Sequence, residues 1–499
     1  MDVERLDAVG AALTRQRYAE FHRGPYPRMI WPTNYNRYGA ATMFSLFFSG
    51  NTYAPETKID GESAQDWLQE RYLACMRHCF RRLKNCKAII GWGTMNEPHP
   101  GFTGYTDLNR LENYAVATGP MPGGFQAMAA ASGHRVSVPV YSTGILGERV
   151  VRHEILNPRG LSLFKDGFTC PWKQAGVWTN AGGKPLGTPQ LLRADHFAQF
   201  QGRPVCFADD FLKPFMIRFT ERMREADEKT IIFIEGIPQG QGNKQSHHPG
   251  WTKDDPPGMV NAFHWYDGPT LFTKFFRPWL SFRTDTLKPI LGRRKVAAYF
   301  AEQLAEGIAW TRTHMGNMPC LLGEFGLPFD MNGKRAFRTG DYSLHEEALG
   351  MYYDAIDKNL LHALIWNYSA DSTHETGDNW NGEDLSIFSE GEGRAIEGWR
   401  RPYPMATAGE LRELRWNSKQ GMFRFRFSAD PEIHAPTEIY APPECFGSSP
   451  KIEIHGENPA AVTAEYRADE GRIFIRNEGY RGDLEIRISR IKPPDGYDG

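Results

Sequence analysis

The chain has 499 residues, of which 40% are hydrophobic and 24% are charged. These proportions are typical of a soluble globular protein and exclude a disordered chain or a coiled coil. With 58 Lys and Arg against 60 Asp and Glu, the formal charge is −2. The sequence therefore lacks the basic excess that attracts phosphates, and we expect neither DNA nor RNA as a partner.

The cysteine content and the N-terminal composition bear on the location of the protein. Seven cysteines, an odd number in a long chain, do not predict a disulfide framework and favour a reducing compartment. The first 24 residues carry charges throughout, and no run approaches the roughly 18 apolar residues of a membrane span. We expect an intracellular protein, cytoplasmic or vacuolar, without an obligate protein partner.

Short apolar runs recur along the first part of the chain and predict strands. Each run ends in a polar or aromatic residue, as buried parallel strands do when they deliver side chains to a site. The runs are residues 87–95, 230–238, 259–266, 319–325 and 362–368. Helical periodicity over 296–314 and 344–359 alternates with them, which predicts a parallel sheet. Upstream of the first run, only residues 40–49 resemble a strand.

Two other regions have different patterns. Residues 102–192 are rich in Gly and Pro and predict a long irregular loop over the functional end of the sheet. Beyond Met405, five segments of alternating hydrophobicity predict an antiparallel β-sandwich. They are residues 422–428, 437–442, 451–456, 472–477 and 483–490. We therefore predict a first domain over 1–404 and a second over 405–499, with a linker at 399–404.

Two glutamates at strand ends point to the chemistry. Glu97 follows the first strand in TMNEP, and Glu324 ends the fourth in LLGEFG. In a parallel barrel, both side chains would point into the C-terminal mouth. A carboxylic acid and a carboxylate that face each other across a substrate can cleave a glycosidic bond. The acid protonates the leaving oxygen, and the carboxylate attacks the anomeric carbon.

Four further residues have roles compatible with this chemistry. Asn96 could hold a sugar 2-hydroxyl beside Glu97. His264 and Tyr266, on an intervening strand, could orient the nucleophile and tune its pKa. Trp366, on the last strand, offers a flat apolar face to a pyranose ring. Each residue alone has an ordinary structural explanation, so the prediction depends on their occurrence in order on successive strands.

Four segments together resemble glycoside hydrolase family 5, whose members are retaining β-glycosidases on a (β/α)8 barrel. They are TMNEPHPG, AFHWY, LLGEFGLPFD and LIWNYSADSTHETGDNWNGEDLSIFS. The last segment, with residues 31–50 and PWKQAGVW at 171–178, is similar to the fungal endoglycoceramidase-related branch. That branch includes glucosylceramidases and steryl β-glucosidases. The resemblance covers roughly residues 25–490.

The resemblance implies an α/β fold, a TIM barrel followed by the β-sandwich, and a function. The function is that of a retaining β-glucosidase that removes glucose from membrane glucolipids, either a steryl β-glucoside such as ergosteryl glucoside or β-glucosylceramide. Glu97 would be the acid/base and Glu324 the nucleophile. The glucose-binding subsite would contain Asn96, His264, Tyr266 and Trp366, with Asp378, Asn379 and Trp380 at its rim. No metal or organic cofactor is implied.

A retaining mechanism predicts a carboxyl separation of about 5 Å, against roughly 6.5 to 9.5 Å for an inverting one. One departure from the family concerns the start of the chain. A barrel should supply three strands before the one that ends in NEP, and the sequence upstream does not contain them. We expect a barrel that is incomplete at its N-terminus and lacks roughly 100 to 200 residues.

Residues 271–295 interleave aromatic with basic side chains, a composition suited to a bilayer interface. The aromatic residues are Phe272, Phe275, Phe276, Trp279 and Phe282, and the basic ones are Lys274, Arg277, Arg283, Arg293 and Arg294. They predict peripheral contact with a membrane that holds the glucolipid. The alternative is that the aromatic side chains pack a barrel helix while the charges face water.

Other functions remain open. The sequence has no Walker loop, dinucleotide fingerprint or GxSxG elbow, which argues against nucleotide-dependent chemistry and serine hydrolases. Among glycosidases, the alternative is an endo-β-glucanase-type polysaccharide hydrolase. Outside enzymes, it is a truncated, inactive remnant that still binds glycolipid.

Overall fold

A computed structural model describes residues 35–114, 116–144, 147–183, 187–238, 248–379, 383–477 and 479–490. The chain divides into two compact units. Among the described residues, the first unit contains 35–265, 309–324 and 371–384, and the second contains 266–308, 325–370 and 385–490. The predicted domain boundary between residues 404 and 405 lies where the strand pattern changes, whereas these two units are defined by compactness. That boundary stays a prediction.

Parallel strands form the centre of the first unit. Their order across the sheet is Cys320–Phe325, Met259–His264, Ile231–Ile234 and Gly91–Gly93, and each neighbouring pair is parallel. These strands confirm the predicted strands at 319–325, 259–266, 230–238 and 87–95, although the last is much shorter than its apolar run. Upstream of Gly91, the described residues contribute no strand to this sheet.

Long helices separate the strands along the chain, as a parallel sheet requires. They are Ala64–Leu83, Lys213–Arg224, Arg293–His314 and Ser343–Lys358. The first begins where the Ser63 side chain accepts a hydrogen bond from the backbone N–H of Asp66, a regular N-cap. Its buried residues include Leu73 and Phe80, which lie seven positions apart and so share one face.

The segment predicted as an upstream strand is a helix, Tyr38–Tyr53, so that prediction is wrong. Ten of the 16 residues of this helix are buried, among them Tyr38, Ser45 and Phe48. A segment that is apolar on all sides lacks helical periodicity, and a short apolar run of this kind can be read as a strand. The helix packs in the core of the first unit with Phe102, Trp172 and Phe215.

Residues 102–192 are also more regular than predicted. Three strands form an antiparallel sheet there, Gly119–Pro120, Val136–Gly144 and Gly147–Leu156. Helices Gly124–Ala131 and Pro171–Gln174 lie in the same region. Buried Trp172 and Trp178 join this region to the core, so the insertion is a packed part of the first unit.

The second unit contains the strand His362–Ile365 and a β-sandwich. One four-stranded antiparallel sheet has the order Gly409–Asn417, Met422–Ala429, Gly482–Ser489 and Lys451–His455. The other has the order Tyr403–Ala406, Thr437–Tyr440, Arg472–Arg476 and Thr463–Arg467. Alternate residues such as Phe423, Phe425 and Phe427 fill the core between them. All five predicted sandwich strands are present, and three more join them.

The remaining elements are short. The strands are Lys58–Ile59, Glu62–Ser63, Trp178–Asn180, Pro189–Leu191, Gln199–Phe200, Arg203–Pro204, Leu280–Phe282, Pro289–Leu291, Phe388–Ser389 and Glu392–Gly393. The helices are Gly268–Thr273, Met331–Thr339, Ile396–Trp399 and Pro443–Phe446, with single turns at Ala181–Gly183, Ala208–Leu212 and Pro459–Ala461. Within the described ranges, no helix has both the length and the apolar composition needed to cross a membrane.

Candidate active site

The ends of the parallel strands bring three glutamates and a histidine together in the first unit. Glu97 and Glu235 follow the strands Gly91–Gly93 and Ile231–Ile234, His264 ends Met259–His264, and Glu324 lies in Cys320–Phe325. His264 and Glu324 are opposite each other in the parallel register. Because parallel strands end at one edge of a sheet, side chains distant in sequence meet there.

His264 lies at the centre of this cluster. Its Nδ1 atom is 3.1 Å from Oε1 of Glu97 and 3.5 Å from Oε2 of Glu324. Its Nε2 atom is 3.3 Å from Oε2 of Glu235. All four side chains are between 12% and 16% exposed, so water screens their charges only weakly.

The three carboxylates determine the charge of the histidine. Burial by itself would lower the pKa of His264, but the hydrogen bonds that the ring donates to Glu235 and Glu97, with the charges of Glu324 and Glu235, outweigh it. Together they raise the pKa of His264 to about 10. At neutral pH the ring is therefore a cation that lies between carboxylates.

The spacing of the two predicted catalytic carboxylates matches one class of glycoside hydrolysis. One oxygen of Glu97, one oxygen of Glu324 and a ring nitrogen of His264 all lie within 4.8 Å of one another. Retaining enzymes place their carboxyl groups about 5 to 5.5 Å apart, while inverting enzymes leave roughly 6.5 to 9.5 Å for a water molecule. Oxygens of Glu97 and Glu324 this close together favour the retaining arrangement over the inverting one.

The backbone at Glu97 is held by contacts on both sides. Glu97 has a φ of 43°, an uncommon value for a residue with a side chain and one that recurs at functional sites. Its N–H donates to Oε2 of Glu235. Downstream, the N–H of Phe102 donates to Oγ of Ser45 at 2.8 Å, so the helix Tyr38–Tyr53 anchors the segment after Glu97.

Tyr35 is a further titratable group beside the cluster. Its ring stacks on His99, with centroids 4.5 Å apart and planes 5° from parallel. Burial raises the pKa of Tyr35 well above its ordinary value, and the charges of Glu97, Glu383 and Glu324 raise it further. The hydroxyl therefore stays protonated near these carboxylates and can act as a hydrogen-bond donor.

The other predicted site residues of the first unit lie in different surroundings. Asn96 is exposed. Asp378 is buried, and its N–H donates to the carbonyl oxygen of Glu383. The Asn379 side chain donates to the carbonyl oxygen of Asp371 at 3.2 Å. Trp380 lies outside the described residues.

Tyr266 and Trp366 belong to the second unit, where both lie beside Gly326. A Cβ atom added to Gly326 would meet the Trp366 carbonyl oxygen at 2.2 Å and Cε1 of Tyr266 at 3.7 Å. The N–H of Trp366 donates to the Phe325 carbonyl oxygen at 2.7 Å, and 36% of Trp366 is exposed. The peptide bond between Trp366 and Asn367 is cis. The absence of a side chain at Gly326 is therefore what leaves room for the Trp366 backbone.

Glu97, His264 and Glu324 are also the one group among the described residues with a spacing suited to a metal ion. A metal would need a lone pair on a ring nitrogen of His264. In this structure both ring nitrogens face carboxylate oxygens, which is the environment of a protonated ring. The arrangement suits proton transfer and charge stabilisation better than metal binding.

Glu235 was not identified as a candidate from the sequence, although a signal was present. It lies in the run 230–238, directly after the apolar residues 231–234, much as Glu97 and Glu324 come at the ends of their runs. The sequence does not show that its strand lies between the strands of Glu97 and His264. This position between the two strands brings the Glu235 side chain into contact with both Glu97 and His264.

The fold and this geometry agree with comparisons to known proteins. Residues 401–488 match the family model described as glycoside hydrolase family 5 C-terminal domain. The crystal structure of Cryptococcus neoformans sterylglucosidase 1 superposes with a TM-score of 0.84 at 26% identity, over 98% of this chain and 77% of that one. The predicted resemblance to glycoside hydrolase family 5 is therefore confirmed. The predicted fold class, an α/β fold of the TIM-barrel type with a C-terminal β-sandwich, is confirmed.

Two curated relatives extend the comparison. A glucosylceramidase of Rhizopus delemar is 28% identical over 89% of this chain, and the chain spans 68% of its length. An ergosteryl-beta-glucosidase of Saccharomyces cerevisiae is 30% identical over 73% of this chain, and the chain spans 52% of its length. These relatives confirm the predicted resemblance to fungal glucosylceramidases and steryl β-glucosidases.

Proposed function

We propose that this protein is a retaining β-glucosidase that hydrolyses membrane glucolipids, either a steryl β-glucoside or β-glucosylceramide. The observation that carries the proposal is the pair of carboxylates, Glu97 and Glu324, with oxygens within 4.8 Å across His264. The names of the curated relatives, glucosylceramidase and ergosteryl-beta-glucosidase, support a glucolipid as the substrate.

Each carboxyl group acts twice in the proposed double displacement. The Glu324 carboxylate attacks the anomeric carbon, and the C–O bond to the lipid breaks as the leaving oxygen takes the proton of Glu97. The Glu97 carboxylate then takes a proton from water. The resulting hydroxide equivalent attacks the anomeric carbon, releases Glu324 and yields glucose with the β configuration. The cationic His264 ring offsets the negative charge of the cluster.

The test is glucose release from steryl β-glucoside and from β-glucosylceramide, each dispersed in detergent. We compare the 499-residue protein with Glu324→Gln and Glu97→Gln. We expect no turnover above background for Glu324→Gln and a loss of about 10²- to 10⁴-fold for Glu97→Gln. NMR of the first-formed glucose should show the β anomer.

The matched control is Glu148→Gln. The Glu148 side chain accepts a hydrogen bond from the N–H of Ala117 at 2.6 Å, so this variant also neutralises a carboxylate that supports the backbone. It should keep its activity. Release of α-glucose, or undiminished activity in Glu324→Gln, would refute the mechanism. A folded protein that binds glucolipid without turnover would instead support the inactive remnant.

We also propose that the second unit contacts the membrane that carries the substrate, through a surface formed by residues 275–295, here called the hairpin surface. Four large apolar side chains there are 47% to 68% exposed. They are Phe275, Trp279, Leu287 and Leu291. The strands Leu280–Phe282 and Pro289–Leu291 pair to form the hairpin, and Arg277 lies over the Phe275 ring at 4.4 Å.

The charge of the hairpin surface favours an anionic bilayer. Residues 275–295 contain six Lys or Arg and one Asp, while the whole chain is slightly negative. Lys288, Arg294 and Lys295 are exposed. Basic residues near an anionic membrane contribute about 1 kcal/mol each. Two members of the predicted interleaved set do not belong to the surface. Phe276 is buried, and the buried Lys274 pairs with Asp330 at 3.0 Å.

Vesicle sedimentation tests this contact. The double variant Phe275→Ser/Trp279→Ser should bind vesicles with anionic lipid less well than the wild type, with unchanged hydrolysis of a soluble aryl glucoside. Phe168→Ser is the control, because Phe168 is 75% exposed and lies in the first unit. Equal losses of binding and of soluble hydrolysis would refute the membrane contact.

An intracellular location, cytoplasmic or vacuolar, is part of the same proposal. It is supported by the seven cysteines, all of which are free thiols, as in proteins of reducing compartments. Fractionation of cells that express a tagged protein tests the location.

A further inference from the structure

Glu235 has no role in the mechanism above, yet its strand lies between those that carry Glu97 and His264. Phe233, two residues earlier, pairs with Gly93 on one side and with Val260 on the other. This register brings the end of the Glu235 strand level with both neighbours. A side chain at this position can contact the acid/base and the histidine at once.

Glu235 makes both contacts with the same oxygen. Its Oε2 atom accepts the N–H of Glu97 at 3.3 Å and lies 3.3 Å from Nε2 of His264. The other oxygen, Oε1, lies 3.4 Å from the position that a Cβ atom on Gly93 would take. The side chain therefore fills the space beside Gly93, which restricts its movement.

The chemistry of the partners determines where the protons are. An ionised carboxylate can only accept hydrogen bonds. Nε2 of His264 faces Glu235, and Nδ1 faces Glu97 and Glu324. In the starting state of the mechanism Glu97 holds the proton that it later donates, and Glu235 and Glu324 are the carboxylates. Both ring nitrogens must carry hydrogen to bond these two carboxylates, which makes the ring an imidazolium. Without Glu235, a neutral ring with one N–H would satisfy the Nδ1 side alone.

We propose that Glu235 is a positioning residue that holds His264 as an imidazolium, with its Nδ1–H directed between the two catalytic carboxylates. The effect of Glu235 on catalysis rests on the proposed retaining mechanism. The protonation of His264 by this arrangement does not depend on that mechanism. The raised pKa of His264 agrees with it. The charged groups of the described residues that face the ring are Glu97 and Glu324 at Nδ1 and Glu235 at Nε2.

The direct test is a pH titration of the His264 ring by nitrogen NMR, in protein labelled with ¹⁵N-histidine. The His264 signal is assigned by its loss in His264→Gln. We expect the wild-type ring to stay protonated above pH 8, and Glu235→Gln to lower the pKa of His264 by about one unit or more. Glu235→Asp keeps the charge but withdraws it from Nε2, so it should lower the pKa of His264 by a smaller amount than Glu235→Gln does. Glu148→Gln should leave the titration unchanged.

The catalytic consequence is measured separately, with a soluble aryl β-glucoside. Glu235→Gln should lower kcat by about 100-fold through misplacement of the ring, with little change in KM. It should also move the alkaline limb of the pH profile of kcat to lower pH.

A titration of His264 that is the same in wild type and in folded Glu235→Gln would overturn the positioning role. If Glu235→Gln does not fold, Glu235→Asp decides, because an unshifted titration and unchanged kcat there would also refute the role. A shifted titration in a protein that cleaves no glucoside would leave the positioning role standing and reject the proposed function.

Discussion

His264 and Glu324 lie opposite each other on neighbouring parallel strands, with Nδ1 of the histidine 3.5 Å from Oε2 of the glutamate. Glu97 contacts the same ring nitrogen, and Glu235 contacts Nε2. The histidine is thus a buried cation among three acidic side chains. This charge pattern makes the stability of the site depend on pH.

The first prediction concerns that dependence. Folding raises the pKa of His264 from 6.5 to about 10, so the folded protein binds this proton more tightly than the unfolded chain. The resulting stabilisation is fully present below about pH 6.5 and is lost as the pH rises through about 10. Urea unfolding should show a wild-type advantage over His264→Gln that shrinks between these two pH values. An advantage that is independent of pH in this range would contradict the prediction.

The second prediction concerns the hydroxyl of Tyr35. Because its raised pKa keeps it protonated beside Glu97 and Glu324, it can donate to the charged site throughout the working pH range. We expect Tyr35→Phe to lower kcat/KM for an aryl β-glucoside by about 10-fold, the effect of a hydrogen bond to a charged group. Tyr38→Phe is the control, since the Tyr38 hydroxyl donates to Sγ of Cys170. Equal activity of the two variants would exclude a role for Tyr35.

The third prediction concerns Gly326, which leaves room for the backbone of Trp366. In Gly326→Ala, the new Cβ atom would be 2.2 Å from the Trp366 carbonyl oxygen, so the Trp366 backbone must move. We expect a loss of about 1 to 3 kcal/mol in the free energy of unfolding and a higher KM for glucosides.

The control for Gly326 is Gly350→Ala. Gly350 lies within the helix Ser343–Lys358 and has nothing within 4 Å of its Cβ position. Alanine there should be neutral or stabilising by up to about 1 kcal/mol. Chemical unfolding and steady-state kinetics of both variants provide the measurements, and an unchanged KM in Gly326→Ala would separate Trp366 from glucose binding.

The fourth prediction concerns the anchor behind Glu97. Gly101 has a φ of 62°, and a Cβ atom there would be 2.3 Å from the Ala41 carbonyl oxygen and 2.6 Å from Oγ of Ser45. Gly101→Ala combines backbone strain of about 1 to 2 kcal/mol with a steric clash. It should lower both the melting temperature and kcat, because the segment that carries Glu97 is displaced.

Gly167→Ala isolates the backbone cost. Gly167 has a φ of 86° and nothing within 4 Å of its Cβ position. It should lose stability by strain alone, with kcat unchanged. Similar kcat values for the two alanine variants would mean that the contact with the helix Tyr38–Tyr53 does not position Glu97.

The sequence was sufficient to predict features that depend on local pattern. The parallel strands and the sandwich strands such as Met422–Ala429 were predictable because period-two alternation and short apolar runs are local properties. Glu97, His264 and Glu324 were predictable because each stands at or just after the end of such a run. The helix Tyr38–Tyr53 was predicted wrongly because its burial on several sides removes the periodic signal.

Tertiary structure decided which strand ends are neighbours and what surrounds each side chain. Only the order of strands in the sheet places Glu235 between Glu97 and His264. Only packing shows Asn96 exposed, Asp378 buried, and Lys274 paired with Asp330 in the interior. The physical reason is that the charge state of a buried ring depends on the distance and desolvation of its partners. Those quantities are set by contacts between residues far apart in sequence, and a local pattern does not contain them.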